Sequence, residues 1–332
     1  MVTHVTNLVE KSKNDFTILT YGDEGNEGVL GARYIDVPIL RALSFTISGF
    51  FKGKNADFDA IHAHYAVPQG LLGVILKKVG KKPLVVTLHG SDVTILSRNI
   101  FTRPIIKYVL KNADKIITVS EFLRDEVLNL GIKKEKVTTI YAGVSADVGD
   151  RESKIDGETV AFIGALVRQK GVDILIRAFK MVKERLPKAK LIIIGDGKER
   201  SSLEELAKDL RLEDVQFRGY YGELKGIFGE SSLLVLPSRE EGFGLVLLEA
   251  MNHGVPIIAS RIGGIKEIVQ NGYNGILVQK ENPGELSRAI VKILEDEELR
   301  TKLTRNGREF VKRFSWEKMA DEVDEIYEEL AG

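Results

Sequence analysis

Short apolar runs alternate with longer stretches of helical spacing along almost the whole chain. The runs at 84–88, 115–119, 137–141, 160–164, 191–194, 215–218, 233–236 and 256–260 have the length and β-branched content of buried strands. Between them, apolar residues return every three or four positions. Leu175, Ile176, Phe179 and Val182 mark one face of a helix that stops at Pro187. The same spacing predicts helices over 71–78, 103–112, 201–210, 286–294, 297–308 and 316–330. Ser120-Glu121 reads as the cap of a helix running to Leu130, and Ser315 as the cap of the last one. Near the start, 1–13 reads as a short helix, 16–19 as a strand and 22–31 as a loop rich in Gly and acid. Segment 39–51 has helical spacing but many β-branched and aromatic residues, so its type stays open. Strands alternating with helices predict an α/β fold with parallel, doubly wound sheets.

The alternation breaks once. Segment 142–157 is polar, rich in Gly and Asp, and aperiodic. It divides the chain into a first domain over 1–146, a linker over 147–157 and a second domain from 158. A chain of 332 residues is long enough for both.

Composition narrows the function. Lys+Arg and Asp+Glu stand at 48 each, so overall charge gives no argument for nucleic acid. The chain has no cysteine, which excludes disulfides, thiolate metal sites and a thiol nucleophile. No run approaches the roughly 18 apolar residues of a membrane span. The N-terminus lacks a signal-peptide pattern. A cytoplasmic protein is expected.

The richest stretch for chemistry is Pro237-Ser238-Arg239-Glu240-Glu241-Gly242-Phe243-Gly244-Leu245-Val246-Leu247-Leu248-Glu249-Ala250-Met251. It follows a predicted strand and opens a predicted helix. Glycines there place unpaired backbone N–H groups and a helix dipole where an anion such as phosphate is favoured. Glu249 stands among apolar neighbours, where a carboxylate needs a hydrogen-bond partner if it is buried.

Two glutamates separated by seven residues around Gly-Phe-Gly resemble the donor-site motif of retaining GT-B glycosyltransferases, family 4 in particular. The resemblance covers the chain from about Phe16 to Leu330. It implies two Rossmann-like domains facing a cleft, with 158–313 holding the nucleotide sugar and 1–146 the acceptor. It also implies a final helix, 314–332, that crosses back to the first domain. By it, Glu241 lies by the donor sugar and Glu249 bonds the ribose. The backbone of Gly242, Phe243, Gly244, Leu245 and Val246 follows the diphosphate. Lys170, in the loop after the strand 160–164, matches the family's phosphate-binding lysine. His89, in Thr87-Leu88-His89-Gly90-Ser91-Asp92, matches a histidine facing the donor sugar.

Two departures stand out. Family members carry an arginine at Ala165; Arg168, three residues on, starts from a different backbone point. Family members also open with a strand and a Pro/Gly-rich loop before the helix that 5–13 resembles.

The expected activity is hexosyl transfer with retention, from a nucleotide sugar to a glycan, lipid or small-molecule acceptor, with no metal or other cofactor. The rival readings are a GT-B protein that binds nucleotide or a partner but transfers little, and a nucleotide-sugar epimerase. His62 and His64 point to one side of a strand end, a spacing that could hold a metal, but no third ligand is evident and a structural or acceptor-side role is expected for them. Asp57-Phe58-Asp59 precedes a strand instead of following one, which makes it a solvated turn and not a metal site. Gly195-Asp196-Gly197 lacks the third glycine of a dinucleotide fingerprint, Arg200 standing there. Lys77, Lys78, Lys81 and Lys82 beside apolar 71–76 leave room for peripheral contact with the inner face of a membrane, though a solvated helix end explains them as well. Acceptor, donor and oligomeric state are left open.

Overall fold

A computed structural model describes residues 2–21, 29–32, 38–145, 157–219 and 224–331, without the side chains of 2, 38, 39 and 331. Most of the expected 147–157 linker lies outside the described residues. The chain forms two units, Met1–Gly143 with Trp316–Gly332, and Val144–Ser315.

The first unit runs α1 (Val2–Lys11), β1 (Ile18–Tyr21), β2 (Val29–Ala32), α2 (Pro38–Gly53), β3 (Ile61–His64), α3 (Leu71–Gly80) and β4 (Leu84–Leu88). It continues through α4 (Ser91–Thr94), α5 (Thr102–Asn112), β5 (Lys115–Thr118), α6 (Glu121–Asn129) and β6 (Val137–Thr139). The open segment 39–51 is therefore a helix. It buries Phe45 beside Ala32, Leu72 and Leu76.

The doubly wound sheet expected here is not continuous. β1 and β2 pair in parallel as one two-stranded sheet, and β3-β4-β5-β6 form a separate four-stranded one. Strands β4 and β5 are buried along almost their whole length, the polar Thr87 and Thr118 included. Strands β1 and β3 each keep one edge with no ladder partner among the described residues, and both are only partly buried. Leu19 of β1 and Ile61 of β3 nonetheless pack on one shared apolar cluster.

The second unit runs β7 (Thr159–Ile163), α7 (Val172–Arg185), β8 (Lys190–Ile194), α8 (Arg200–Asp209), β9 (Val215–Phe217), α9 (Leu224–Glu230) and β10 (Leu233–Leu236). Then come α10 (Leu245–Asn252), β11 (Ile257–Ser260), α11 (Ile265–Ile268), β12 (Ile276–Val278), α12 (Pro283–Glu295) and α13 (Glu297–Val311). Asn282 and Asp296 cap α12 and α13 through their side-chain oxygens. The last helix, α14 (Trp316–Ala331), belongs to the first unit. There Ser12 and Asn14 donate to the buried Asp324 carboxylate at 2.5 and 2.8 Å, which ties α14 to the chain after α1.

All six strands of the second unit are parallel, in the order β12-β11-β10-β7-β8-β9. The chain starts at β7, winds outward through β8 and β9, then returns to the other side of β7 and winds outward again. The order therefore reverses between β7 and β10. Loops leaving the two strands diverge at such a point and open a crevice at the strands' carboxyl ends, where open α/β sheets bind ligands.

Candidate active site

The loops after β7 and β10 meet at that reversal. After β7, residues 164–171 end in a 3-10 turn, Arg168–Lys170. After β10, residues 237–244 lead into α10, whose N-cap is Gly244 in a left-handed conformation. The Lys170 ammonium lies 2.6 Å from a Glu241 carboxylate oxygen, which also accepts a 3.3 Å hydrogen bond from the Ser238 hydroxyl. The two residues picked separately from the sequence thus form one ion pair. Glu241 is the more enclosed partner, at 12% side-chain exposure against 26% for Lys170. One ammonium donor is used there, and the others point to no described acceptor.

Two further loops close the floor. An added Cβ at Gly195, in the turn after β8, would lie 1.9 Å from the Gly164 carbonyl, so Gly195-Asp196-Gly197 is a tight turn stacked on the loop after β7. A Cβ at Gly264, after β11, would lie 2.1 Å from the Gly242 carbonyl. The Gly264 N–H donates to the Glu241 carbonyl at 3.3 Å. The backbone of Gly242 is held from below, leaving the N-terminal turn of α10 to the crevice. Phe243 is buried, its ring 6.3 Å from that of Phe314. It anchors the turn and offers backbone, not side chain, to a ligand. Leu245 and Val246 are the first two residues of α10, where N–H groups have no partner inside the helix.

Glu249 sits in the second turn of α10 and is partly accessible. Its carboxylate makes no hydrogen bond to any described residue. Burial pushes its pKa above the ordinary carboxylate value. The partner that the sequence reading requires of a buried carboxylate is not supplied by this chain's described residues.

Arg239 is a site residue that sequence reading missed. Its guanidinium donates to both Asp173 oxygens at 2.7 and 2.8 Å, to Glu281 at 2.9 Å and to the Arg168 carbonyl at 2.9 Å. Its own N–H donates to the Gln169 carbonyl at 2.7 Å. This fork fixes the turn that carries Lys170 against the turn that carries Glu241. Burial pushes the Asp173 carboxyl up, and the Arg239 guanidinium more than offsets this, holding it below its usual value. Arg168 is exposed, and its guanidinium has no partner among the described residues. Ala165 is exposed on the same loop.

In the first unit, His89 ends β4 beside three more of the chain's five histidines. Its Nε2 is 3.1 Å from Nδ1 of His64, and its ring centroid is 5.0 Å from that of His4. His62 stacks on His64 at 4.5 Å and bonds the Tyr327 hydroxyl at 2.5 Å and the Thr87 hydroxyl at 2.7 Å. Burial is the main cause that pulls all four below the ordinary histidine value, His4 to about 4 and His62 to about 3, with neighbouring rings adding to it for His62, His64 and His89 and the amino terminus for His4. At neutral pH each is an uncharged ring with one donor and one acceptor nitrogen. His62 and His64 are held by ring and hydroxyl contacts inside the first unit, and the contribution of His4 was not legible. Asp92 accepts from the N–H groups of Gly90 at 3.0 Å and Val93 at 3.2 Å, shaping the turn after His89. Burial raises its carboxyl to about 6 against those amides. Asp59 of the Asp57-Phe58-Asp59 turn is exposed and lies 3.3 Å from Lys82.

Residues 148–310 match the family model described as glycosyl transferases group 1, and residues 1–148 that described as glycosyltransferase family 4. An uncharacterized glycosyltransferase of Methanocaldococcus jannaschii is 40% identical over 99% of this chain and 94% of its own. The N-acetyl-alpha-D-glucosaminyl L-malate synthase of Bacillus anthracis is 31% identical over 82% of this chain and 75% of its own. HepE of Anabaena, solved with UDP and glucose, has a TM-score of 0.86 at 20% identity, over 98% of this chain and 95% of that one. That likeness shows the fold, two Rossmann-like domains of GT-B type.

Proposed function

Since the chain belongs to the group 1 glycosyl transferases of glycosyltransferase family 4, we propose that it moves a hexosyl group from a nucleotide sugar to an acceptor with retention at the anomeric carbon. The observation that carries the donor half of this reading is Glu249. It is a carboxylate without a partner among the described residues, raised by burial, on the helix whose N-terminus opens beside the Lys170–Glu241 pair. Ribose hydroxyls are the donors that would satisfy it.

The charges account for the rest. In the free protein Glu241 neutralises Lys170. A bound diphosphate competes for the ammonium, which has further donors to give, and releases Glu241 to orient hydroxyls of the sugar. As the bond from sugar to diphosphate breaks, negative charge grows on the leaving group. Lys170, the exposed Arg168 and the N–H groups of Leu245 and Val246 are the chain's means of stabilising it. Fixed donors of this kind are worth about 2–4 kcal/mol each in the transition state. Arg168 stands in for the arginine that Ala165 replaces. His89 is assigned to the donor sugar by the motif it shares with the family.

No divalent metal enters this scheme. The cations named above supply the positive charge, and Asp57-Phe58-Asp59 lies before β3, not at a strand's carboxyl end. The reading keeps the protein in the cytoplasm, at or near the inner face of the membrane.

The test is a panel of UDP-, GDP- and ADP-sugars with hydroxyl acceptors, run with and without EDTA, the product anomer read by NMR. UDP-glucose comes first, because HepE was solved with UDP and glucose. Consumption of a donor with the anomer retained and no loss in EDTA is expected. An inverted product, or activity that returns only with manganese, contradicts the scheme.

A further inference from the structure

His62 and His64 leave β3 on the same side, yet their ring nitrogens are used differently. Both nitrogens of His62 are taken up inside the first unit, by the Tyr327 and Thr87 hydroxyls at 2.5 and 2.7 Å. Nδ1 of His64 lies 3.1 Å from Nε2 of His89, and Nε2 of His64 bonds no described residue. Nδ1 of His89 bonds none either. Neither of these outer nitrogens is sealed in without a partner, as Nδ1 of His4 is, and both rings are partly accessible. A histidine that only filled space at a strand end would close both nitrogens, as His62 does.

Two uncharged imidazoles carry two protons on four nitrogens. One proton lies between Nδ1 of His64 and Nε2 of His89. The other sits on one of the two outer nitrogens, which leaves one outer donor and one outer acceptor. Whether Nδ1 of His89 donates or accepts is therefore decided by its bond to His64. The His89 ring is also boxed in. His64 lies at 27° to it with centroids 5.3 Å apart, His4 meets it edge-on at 5.0 Å, and Tyr65 tilts against it at 5.1 Å. Tyr65 has a φ of 83° and a ψ of 146°, a backbone conformation costly for any residue with a Cβ. Its N–H donates to the Thr87 carbonyl at 2.9 Å and its carbonyl accepts from the Gly70 N–H at 3.0 Å, so the fold holds its ring against His89.

We propose that His64 is a positioning residue, whose bond to Nε2 locks His89 in one tautomer and one ring orientation and so gives Nδ1 of His89 a single hydrogen-bonding character towards a sugar hydroxyl. The proposal rests on the assignment of His89 to the donor sugar. A hydroxyl both donates and accepts, so an imidazole free to change tautomer would hold it in two alignments. A locked ring holds it in one, and the rate of transfer depends on alignment. His64 acts through His89.

The experiment is NMR of the full chain isotopically labelled at its histidine nitrogens, alongside donor turnover; five histidines make a simple spectrum. The variants are His64→Phe, His64→Asn, His62→Phe and His89→Phe. Asn puts either an amide N–H or a carbonyl where Nδ1 stands, so it can bond Nε2 of His89 whichever way the proton lies. In the wild type at neutral pH, His64 and His89 are each expected in one tautomer, with a coupling across the hydrogen bond between Nδ1 and Nε2. His64→Phe should leave His89 in a mixture of both tautomers and lower kcat about tenfold, with the donor KM within about twofold. His64→Asn should restore the single tautomer and most of kcat. His62→Phe should lower the thermal midpoint without moving the His89 tautomer. A wild type without the coupling overturns the proposal, as does a His89 tautomer that is unchanged in His64→Phe. A tautomer released in His64→Phe with kcat unchanged overturns it too, and equal losses in His64→Phe and His64→Asn reduce His64 to packing. If His89→Phe turns over as the wild type does, the assignment of His89 to the sugar fails instead, while the coupling and the tautomers still decide whether His64 locks the ring.

Discussion

Replacing Arg239 by Ala removes the fork that joins the two turns of the proposed nucleotide site. It loses two hydrogen bonds to Asp173, one to Glu281 and one to the Arg168 carbonyl. Hydrogen bonds to charged groups are worth about 1.5–3 kcal/mol, and exposed ion pairs about 0–1 kcal/mol. Side-chain exposure is 19% for Arg239, 32% for Asp173 and 54% for Glu281. The Asp173 arm therefore dominates, and the whole is worth about 2–3 kcal/mol. For a unit of this size that lowers the thermal midpoint by roughly 5–10 °C. Activity should fall further than stability suggests, because the Lys170 turn loses its register. Misplacement of a charged group by about 1 Å costs up to about a hundredfold in rate. Arg239→Lys keeps the charge without the fork and should recover only part of both effects. The assay is calorimetric unfolding, amide exchange over residues 168–175 and donor turnover, for wild type and both variants. If Arg239→Ala leaves exchange and turnover unchanged, the clamp is incidental. If Arg239→Lys restores everything, charge and not fork geometry holds the turn.

The histidine cluster makes the first unit sensitive to acid. Folded pKa values lie below the unfolded value, so the folded state binds fewer protons. Its stability is complete above about pH 6.5 and is lost as pH falls towards about 4 for His4 and 3 for His62. Trp316, the chain's one tryptophan, has its ring 5.8 Å from that of His4, and its fluorescence reports the change. His4→Phe should flatten the upper part of the profile; a wild-type midpoint that stays level from neutrality to pH 4.5 would refute the role given to burial. Gly264→Ala drives a methyl group into the Gly242 carbonyl and should cost about 1–3 kcal/mol and weaken nucleotide binding. Gly226→Ala, in α9 with nothing within 4 Å, should be neutral or slightly stabilising, and equal effects at the two sites would remove the packing argument.

Legibility from sequence followed burial. The strands of the second unit are covered on both faces, so β7, β8, β10 and β11 stand out as apolar runs and were found within a residue or two. Strand β2 was missed because it is four residues long, contains Gly31 and adjoins a Gly-rich stretch. Strand β12 has only three residues, and α9 carries Gly226 and Gly229. Helix α2 resisted assignment because its β-branched and aromatic residues suit a strand as well as their spacing suits a helix. In the site, single residues were legible and their couplings were not. Lys170 and Glu241 announce themselves through their loops, yet nothing local says that they pair across 71 positions. Arg239 stands in an ordinary polar turn; its importance arises from Asp173, 66 positions earlier, and Glu281, 42 later. His4 becomes a neighbour of His64 and His89 only when α1 packs onto the strand ends.

The central claim is that the turn at 242–246 and Glu249 hold a nucleoside diphosphate. Calorimetric titration of UDP, GDP and ADP into the wild type and Glu249→Ala tests it most directly. At least one nucleotide should bind the wild type, and Glu249→Ala should weaken it by about ten- to a hundredfold, the worth of hydrogen bonds to a charged acceptor. The corresponding base-free ribose-less ligand, inorganic diphosphate, should bind both proteins alike. Equal nucleotide affinities for wild type and Glu249→Ala would contradict the ribose assignment, and a wild type that binds none of the three would contradict the site as a whole.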